Sequence, residues 1–255
     1  MRHTRQRRET ILRLLTEEGS VQVGQLVAQL GVSAVTIRND LSALESQGLV
    51  TRGHGGADLA RTPPPEHTIR QKDAIHHEEK ERIGALAATL VEAGDNIIID
   101  SGTTTISLAR HLRDTERVTV LTNGLNIAWE LADTAGVDLI LTGGHLRKQS
   151  LSIQGTQAEA CLQSYSFDKL FLGVDGLDLK FGLTTHHEAE ASLNYKMVER
   201  AKKIIVLTDA SKFGRVSLHR IVQLDRVHTI ITDTAISAEY REGLLALGIE
   251  LLVAD

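Results

Sequence analysis

Five polar, glycine-bearing segments carry the side chains with the clearest chemical use. They are Asp100-Ser-Gly-Thr-Thr-Thr105, Thr122-Asn-Gly-Leu-Asn126, Thr142-Gly-Gly-His-Leu-Arg-Lys148, Gly173-Val-Asp-Gly-Leu-Asp178 and Thr208-Asp-Ala-Ser-Lys-Phe-Gly214. In the first, Gly102 lets the backbone approach a ligand. Thr103, Thr104 and Thr105 open a helix whose free amides and positive end attract an anion, and Ser101 and the threonine hydroxyls add donors. The GK[ST] ending of a Walker loop is absent, which argues against nucleotide hydrolysis. Lys212 and Arg147 are the cations best suited to complete a phosphate site. Asp100, Asn123, Gly124, Asp175 and His186 are the polar groups expected around the rest of a small ligand.

Each segment follows or lies near an apolar, strand-like run. The runs are Asn96–Asp100, Val118–Thr122, Asp138–Thr142, Lys169–Val174, Ile204–Asp209, Thr229–Thr232 and Glu250–Val253. Helix-length amphipathic stretches lie between most of them: Glu78–Val91, Thr103–Leu112, Leu125–Ala132, Glu188–Ala201 and Ala238–Leu247. Such alternation implies an α/β domain with a mostly parallel sheet covered on both faces. Ligands of such sheets gather beyond the carboxyl ends of the strands, where the polar segments fall.

A second chemistry belongs to the first sixty residues. A helix over 5–18 ends at Gly19, a short one over Val23–Leu30 ends at Gly31, and Ser33 is placed to cap a third over 34–47. Helix, tight turn and helix make a helix-turn-helix, whose second member reads the major groove. Ile37, Leu41 and Leu44 form its buried stripe, so Val35, Asn39 and Ser42 point away, flanked by Thr36 and Arg38. Arg38 suits guanine or phosphate, Asn39 suits adenine, and Thr36 and Val35 suit phosphate or a thymine methyl. Gly48 closes the helix, and the strand and glycine-rich turn after it read as a wing that presents Arg52 and His54 to the backbone or minor groove.

Composition supports this division. The 255 residues carry 28 basic and 33 acidic side chains, for a net charge of −5. Residues 1–57 hold seven arginines and five acids, net +2, and the remainder holds 21 basic and 28 acidic residues, net −7. Arg2, Arg5, Arg7, Arg8 and Arg13 cluster at the first helix, where they can neutralise phosphates. No aromatic residue precedes Trp129, and reading single strands or RNA loops needs aromatic stacking, so duplex DNA is the expected partner. Pro63, Pro64 and Pro65, the only prolines, mark a linker over 58–74 between a DNA-binding domain at 1–57 and an α/β domain at 75–255. A single cysteine, Cys161, fits a reducing cytosol and reads as a core residue of an amphipathic helix. No run approaches membrane-spanning length, so a cytoplasmic protein without a membrane partner is expected.

Arg8…Ile11…Leu15…Gly19-Ser-Val-Gln-Val…Leu26…Gly31-Val-Ser…Thr36-Ile-Arg-Asn-Asp-Leu…Leu44…Gly48-Leu…Arg52-Gly-His-Gly-Gly-Ala57 resembles the DeoR family of bacterial transcription regulators. The family usually has a second arginine where this chain has Asn39. The TIRND variant, with the run from Thr142 to Asn194, is similar to the AgaR branch, repressors of N-acetylgalactosamine and galactosamine use. Asp100–Thr105, Val174–Asp178 and Asp209–Lys212 resemble the fold shared by ribose-5-phosphate isomerase and glucosamine-6-phosphate deaminase, which is that of DeoR-type sensor domains. The resemblance implies a ligand-controlled repressor of a sugar-catabolism operon, with a phosphorylated amino sugar as effector and no cofactor. A small reader covers few base pairs, so homo-oligomerisation is expected.

The rival reading is a sugar-phosphate isomerase or deaminase with an accessory DNA head. Counting back from Asp209 places Asn194 where the isomerase keeps a catalytic glutamate, and an amide cannot abstract a proton as a carboxylate does. Glu188 and Glu190 lie close by. The pairs His76–His77 and His186–His187 lack metal-binding spacing and read as solvated helix starts, so no metal is expected.

Overall fold

The computed structural model describes residues 2–46, 50–53, 55–59, 67–113 and 115–255, divided between the units Met1–Pro65 and Glu66–Asp255. Gly48, His54 and Pro63–Pro65 lie outside the described residues.

The first unit contains α1 (Arg2–Glu18), β1 (Ser20–Gln22), α2 (Val23–Leu30), α3 (Ala34–Ser46), β2 (Val50–Gly53) and β3 (Gly56–Leu59). Gly31 ends α2 in the left-handed region at φ 64°, the conformation glycine adopts without strain. The N–H of Thr36 donates to Ser33 Oγ at 3.2 Å, so Ser33 caps α3 as its sequence position implies. Ile37, Leu41 and Leu44 are fully buried against Ile11, Leu15, Leu26 and Val50, which gives the unit a core of its own. β1, too short to show a period, joins the wing strands in the order β1-β3-β2. A side chain on Gly56 would meet the Val21 carbonyl oxygen at 2.2 Å, so only glycine lets β3 lie this close to β1.

The second unit begins with α4 (Ile69–Ala74), α5 (His77–Ala88), β4 (Asn96–Ile99), α6 (Thr103–Arg110), β5 (Val118–Thr122), α7 (Leu125–Leu131) and β6 (Val137–Leu141). The hairpin β7 (His145–Arg147) and β8 (Ser152–Gln154) follows, then α8 (Thr156–Leu162), β9 (Phe167–Gly173), β10 (Gly176–Asp178) and β11 (Gly182–Thr185). It closes with α9 (Glu188–Arg200), β12 (Ala201–Leu207), β13 (His219–Val222), β14 (Thr229–Asp233), α10 (Ala238–Ala246) and β15 (Glu250–Ala254).

The apolar runs read as strands form one parallel seven-stranded sheet, ordered β15-β14-β12-β9-β4-β5-β6. Successive strand residues face opposite sides, and both sides are covered. Ile97 and Ile99 pack with Ile83, Leu108 and Ile127 of α5, α6 and α7. Ile98 packs on the other side with Leu162, Met197 and Leu244 of α8, α9 and α10. Burying each such side chain contributes about 1.5–3 kcal/mol, which makes the sandwich insensitive to any one polar contact. From β4 the chain builds outward to β5 and β6 on one side, and later to β9, β12, β14 and β15 on the other. The carboxyl ends of β4 and β9 therefore flank the switch point where such sheets bind ligands.

The structure narrows the linker expected over 58–74. Asp58 and Leu59 end β3, while Ile69–Ala74 form α4, whose first N–H, that of Ile69, donates to the Gln149 carbonyl at 2.9 Å. Two smaller sheets, β10-β11-β13 and β7-β8, add to the expected alternation. No helix among the described residues is long and apolar enough to cross a membrane.

Candidate functional site

The loop after β4 is held open by side chains from the loop after β5. The Ser101 N–H donates to Asn123 Oδ1 at 2.8 Å, and Asn126 Nδ2 donates to the Gly102 carbonyl at 3.2 Å. Gly102 is the N-cap of α6 and has no side chain with which to cap it. Its first main-chain bond runs from Ile106 N–H to Gly102 O, so the amides of Thr103, Thr104 and Thr105 precede the helical ladder. Thr105 is fully buried and its Oγ1 has no partner among the described residues. A side chain on Gly173 would lie 3.7–3.8 Å from Asp100, Ser101 and Thr105, so the carboxyl end of β9 lies beside this loop.

Beside it stands a cluster of lysines and carboxylates. Asp175 accepts Lys72 Nζ at 2.9 Å, the Thr185 hydroxyl at 3.0 Å and the His186 N–H at 3.4 Å. Burial pushes the Asp175 carboxyl up, but Lys72, His186 and Lys212 outweigh it and hold the group well below the usual carboxylate range. Lys212 ends the single helical turn Ala210–Lys212, capped by Asp209, which accepts the Ser211 N–H at 3.0 Å. The Lys212 ammonium makes no ion pair within 4.0 Å among the described residues. Burial lowers its pKa against the pull of Asp175 and Asp209, and Lys72 and Arg215 lower it further. Lys80 of α5, only 4% exposed, donates to the carbonyls of Lys72 and Ile75, and burial lowers its pKa too. Lys72, Lys80 and Lys212 thus face Asp175, Asp209 and Asp73 in a poorly hydrated place.

Asp100 and Glu190 bring the opposite character. Asp100 is fully buried, and burial together with the nearby Glu190 raises its pKa to about 8, despite hydrogen bonds from Asn123, Ser101 and Gly173. Glu190 Oε1 accepts the hydroxyls of Ser150 at 2.5 Å and Ser152 at 2.6 Å and lies 3.5 Å from Arg147. Arg147 therefore stands with Glu190 rather than at an open phosphate position. His186 is half-exposed with Nε2 4.0 Å from Asp175. Gly124 donates its N–H to Thr122 Oγ1 at 2.9 Å and forms a bridge to Ser152, which ties this loop to the β7–β8 hairpin.

Asn194 is buried on α9 one turn beyond Glu190, with its Oδ1 unpartnered among the described residues. Glu190, close to Asn194 in the sequence, sets a carboxylate near enough to Asp100 to raise its pKa. Its Oε1, however, is already engaged by two hydroxyls and an arginine. Lys72, Lys80 and Glu190 belong to the cluster although motif reading did not assign them. The signal for Glu190 was its helical spacing from Asn194, whereas Lys72 and Lys80 had none.

His76 and His77 are exposed at the start of α5, and His187 stands at the N-cap position of α9 without a side-chain capping bond. Cys161 is half-buried on α8 and packs against the core. An open groove of about 560 Å³ lies elsewhere, lined by Phe181, Tyr195, Leu218 and Arg220 among others, and contains none of the polar cluster. Concavity and chemistry do not coincide here, and the convergent charges mark the site better.

In the first unit α3 presents Ser33, Val35, Arg38, Asn39 and Ser42 to solvent, with Thr36 half-buried. Val35 is 62% exposed. Two expected contacts brace the helix instead. Arg8 Nε lies 2.8 Å from Asp40 Oδ1, and Arg7 Nε lies 2.5 Å from Oδ2 of the same buried carboxylate. The guanidinium NH1 of Arg52 donates to Ser42 Oγ at 2.9 Å and to the Arg38 carbonyl at 3.4 Å, so the wing strand grips α3 directly. The side chains of Arg2 and Arg5 lie outside the described residues.

Residues 7–62 match the model of the DeoR-like helix-turn-helix domain, and residues 75–234 match that of the DeoR C terminal sensor domain. The chain is 48% identical over 252 residues to a putative aga operon transcriptional repressor of Escherichia coli O157:H7, covering 98% of this chain and 94% of that one. It is 35% identical to the HTH-type transcriptional repressor GlcR of Bacillus subtilis, with 96% of this chain and 94% of that one covered. Among solved structures, ribose 5-phosphate isomerase A from Methanocaldococcus jannaschii aligns over 54% of this chain and 55% of its own, at 18% identity and a TM-score of 0.41.

Proposed function

The chain belongs to the DeoR family of transcription regulators, and from that premise we propose that it is a repressor of a sugar-catabolism operon whose effector is a phosphorylated amino sugar. The helix-turn-helix unit binds duplex operator in the cytoplasm through Ser33, Val35, Thr36, Arg38, Asn39 and Ser42, with Arg52 setting the wing. Two or more copies act together on repeated half-sites.

One observation carries the effector assignment. The Lys212 ammonium is largely buried, and among the described residues no carboxylate pairs with it within 4.0 Å. The phosphate of the effector supplies the missing anion, with the amides of Thr103, Thr104 and Thr105 as further donors. Asp100 and Glu190 suit the hydroxyl and amino groups of the sugar, and the neutral carboxyl of Asp100 donates a hydrogen bond below pH about 8. The protein senses rather than turns over its ligand, in keeping with relatives named as regulators.

A thermal-shift screen of the full chain against phosphates of galactosamine, N-acetylgalactosamine, glucosamine, glucose and ribose tests the assignment. Stabilisation by an amino-sugar phosphate, absent with the free sugar, is expected. Equal stabilisation by the unphosphorylated sugar removes the phosphate site. Turnover of ribose 5-phosphate or glucosamine 6-phosphate at ordinary enzymatic rates establishes the isomerase or deaminase reading instead.

A further inference from the structure

The helix α4 has six residues and no buried side chain. A helix this short has no stability of its own, and without an apolar face it gains little from packing. A local capping box, with Gln71 N–H on Thr68 Oγ1 and Thr68 N–H on Gln71 Oε1, shapes its first turn but fastens it to nothing. Three polar attachments dock it. Ile69 N–H donates to Gln149 O at 2.9 Å, Lys72 Nζ pairs with Asp175 at 2.9 Å, and Lys80 Nζ takes the carbonyls of Lys72 and Ile75 at its C-terminal end. Two of the three lie in the lysine–carboxylate cluster, and α4 also packs against α6, whose N-terminus opens the site.

We infer that Lys72 is a ligand of the effector's anionic group, and that site occupancy decides how firmly α4 is docked. The inference rests on the phosphate assignment above. An anion that enters beside Lys212 meets the Lys72 ammonium next, because Lys72, paired with Asp175 at 2.9 Å, lies near enough to Lys212 to lower its pKa. Lys72 then bridges the anion and Asp175, and α4 is held at both ends of that bridge. Without the anion, α4 keeps the exchangeable contacts named above. α4 is the first described element after the joint that leads from the DNA-binding unit. Its docking therefore sets the length of chain between the operator-binding head and the body of the sensor. Effector binding reaches the head by shortening or lengthening that tether, without any change in the sheet.

Hydrogen exchange of the full chain, with and without inorganic phosphate or glucosamine 6-phosphate, tests this. Amides of α6 report that the site is filled, and amides of 69–74 report the docking of α4. Both sets are expected to slow, α4 by about fivefold or more. In Lys72→Met the anion is expected to bind about tenfold more weakly and, at saturation, to protect α6 but leave α4 unchanged. Lys72→Arg keeps the charge and is expected to restore the α4 response. Protection of α6 with unchanged exchange in α4 of the native chain overturns this inference and leaves the phosphate site standing. If neither anion protects α6 or α4, both are overturned.

Discussion

Asp40, on the buried stripe of α3, accepts Arg8 Nε at 2.8 Å on one carboxylate oxygen and Arg7 Nε at 2.5 Å on the other, across more than thirty residues. The carboxylate is 2% exposed, so this contact fixes how the recognition helix lies against α1. Removing one partner of a buried ion pair leaves the other charge uncompensated. Asp40→Ala is expected to destabilise the DNA-binding unit by about 3 kcal/mol while leaving the sensor's unfolding transition in place. Denaturant unfolding read separately on the two units checks this, and an unchanged first transition removes Asp40 as the anchor.

Arg38 is exposed on the outward face of α3, and its carbonyl accepts Arg52 NH1. Its guanidinium is available to a base edge or a phosphate. Arg38→Ala is expected to weaken operator binding by about 1–3 kcal/mol, and to reduce the salt slope by about one if the contact is to phosphate. Operator affinity and salt dependence equal to those of the native protein would place Arg38 outside the interface.

Lys212→Met removes the buried ammonium and leaves the capped turn around it in place. Loss of one charge-assisted contact is expected to weaken sugar-phosphate binding about 10- to 100-fold with DNA affinity in the absence of effector unchanged. Isothermal titration with the sugar phosphate provides the reading. Native affinity in the variant means that the phosphate sits elsewhere.

Asp100 titrates near pH 8 in the folded chain, against an ordinary value near 4. The folded protein therefore keeps a proton that the unfolded chain releases. Its contribution to stability is complete below pH about 4 and is lost as pH rises to about 8, with a slope of up to about 1.4 kcal/mol per pH unit. Asp100→Asn, which cannot ionise, is expected to flatten stability between pH 5 and 8 relative to the native chain. Parallel curves for the two proteins across that range contradict a protonated Asp100.

The seven strands and most of the long helices could be read because β-branched and aliphatic runs alternate with amphipathic ones, and burial on both faces enforces that pattern. The five glycine-bearing loops followed, since strand ends locate them. What stayed hidden depends on contacts between distant residues. α4 has no apolar period to betray it, and its Lys72 gains meaning only from Asp175, 103 positions away. Lys80 looks like a solvated helix lysine until the carbonyls of α4 close over it. Arg8 looked like a phosphate contact because nothing local shows that Asp40 is buried among Ile37, Leu41 and Leu44. Glu190 and Asn194 fall on one face of α9, so counting along the chain singled out the amide when the carboxylate stands beside Asp100 as well.

The most direct test is to measure affinity for operator duplex, recovered by selection from random DNA, as a function of sugar phosphate. Fluorescence anisotropy of the full chain at fixed salt is expected to show at least about a tenfold change in Kd with an amino-sugar phosphate, within the usual range of allosteric coupling, and none in Lys212→Met. A Kd that no sugar phosphate alters at millimolar concentration contradicts control by a phosphorylated sugar.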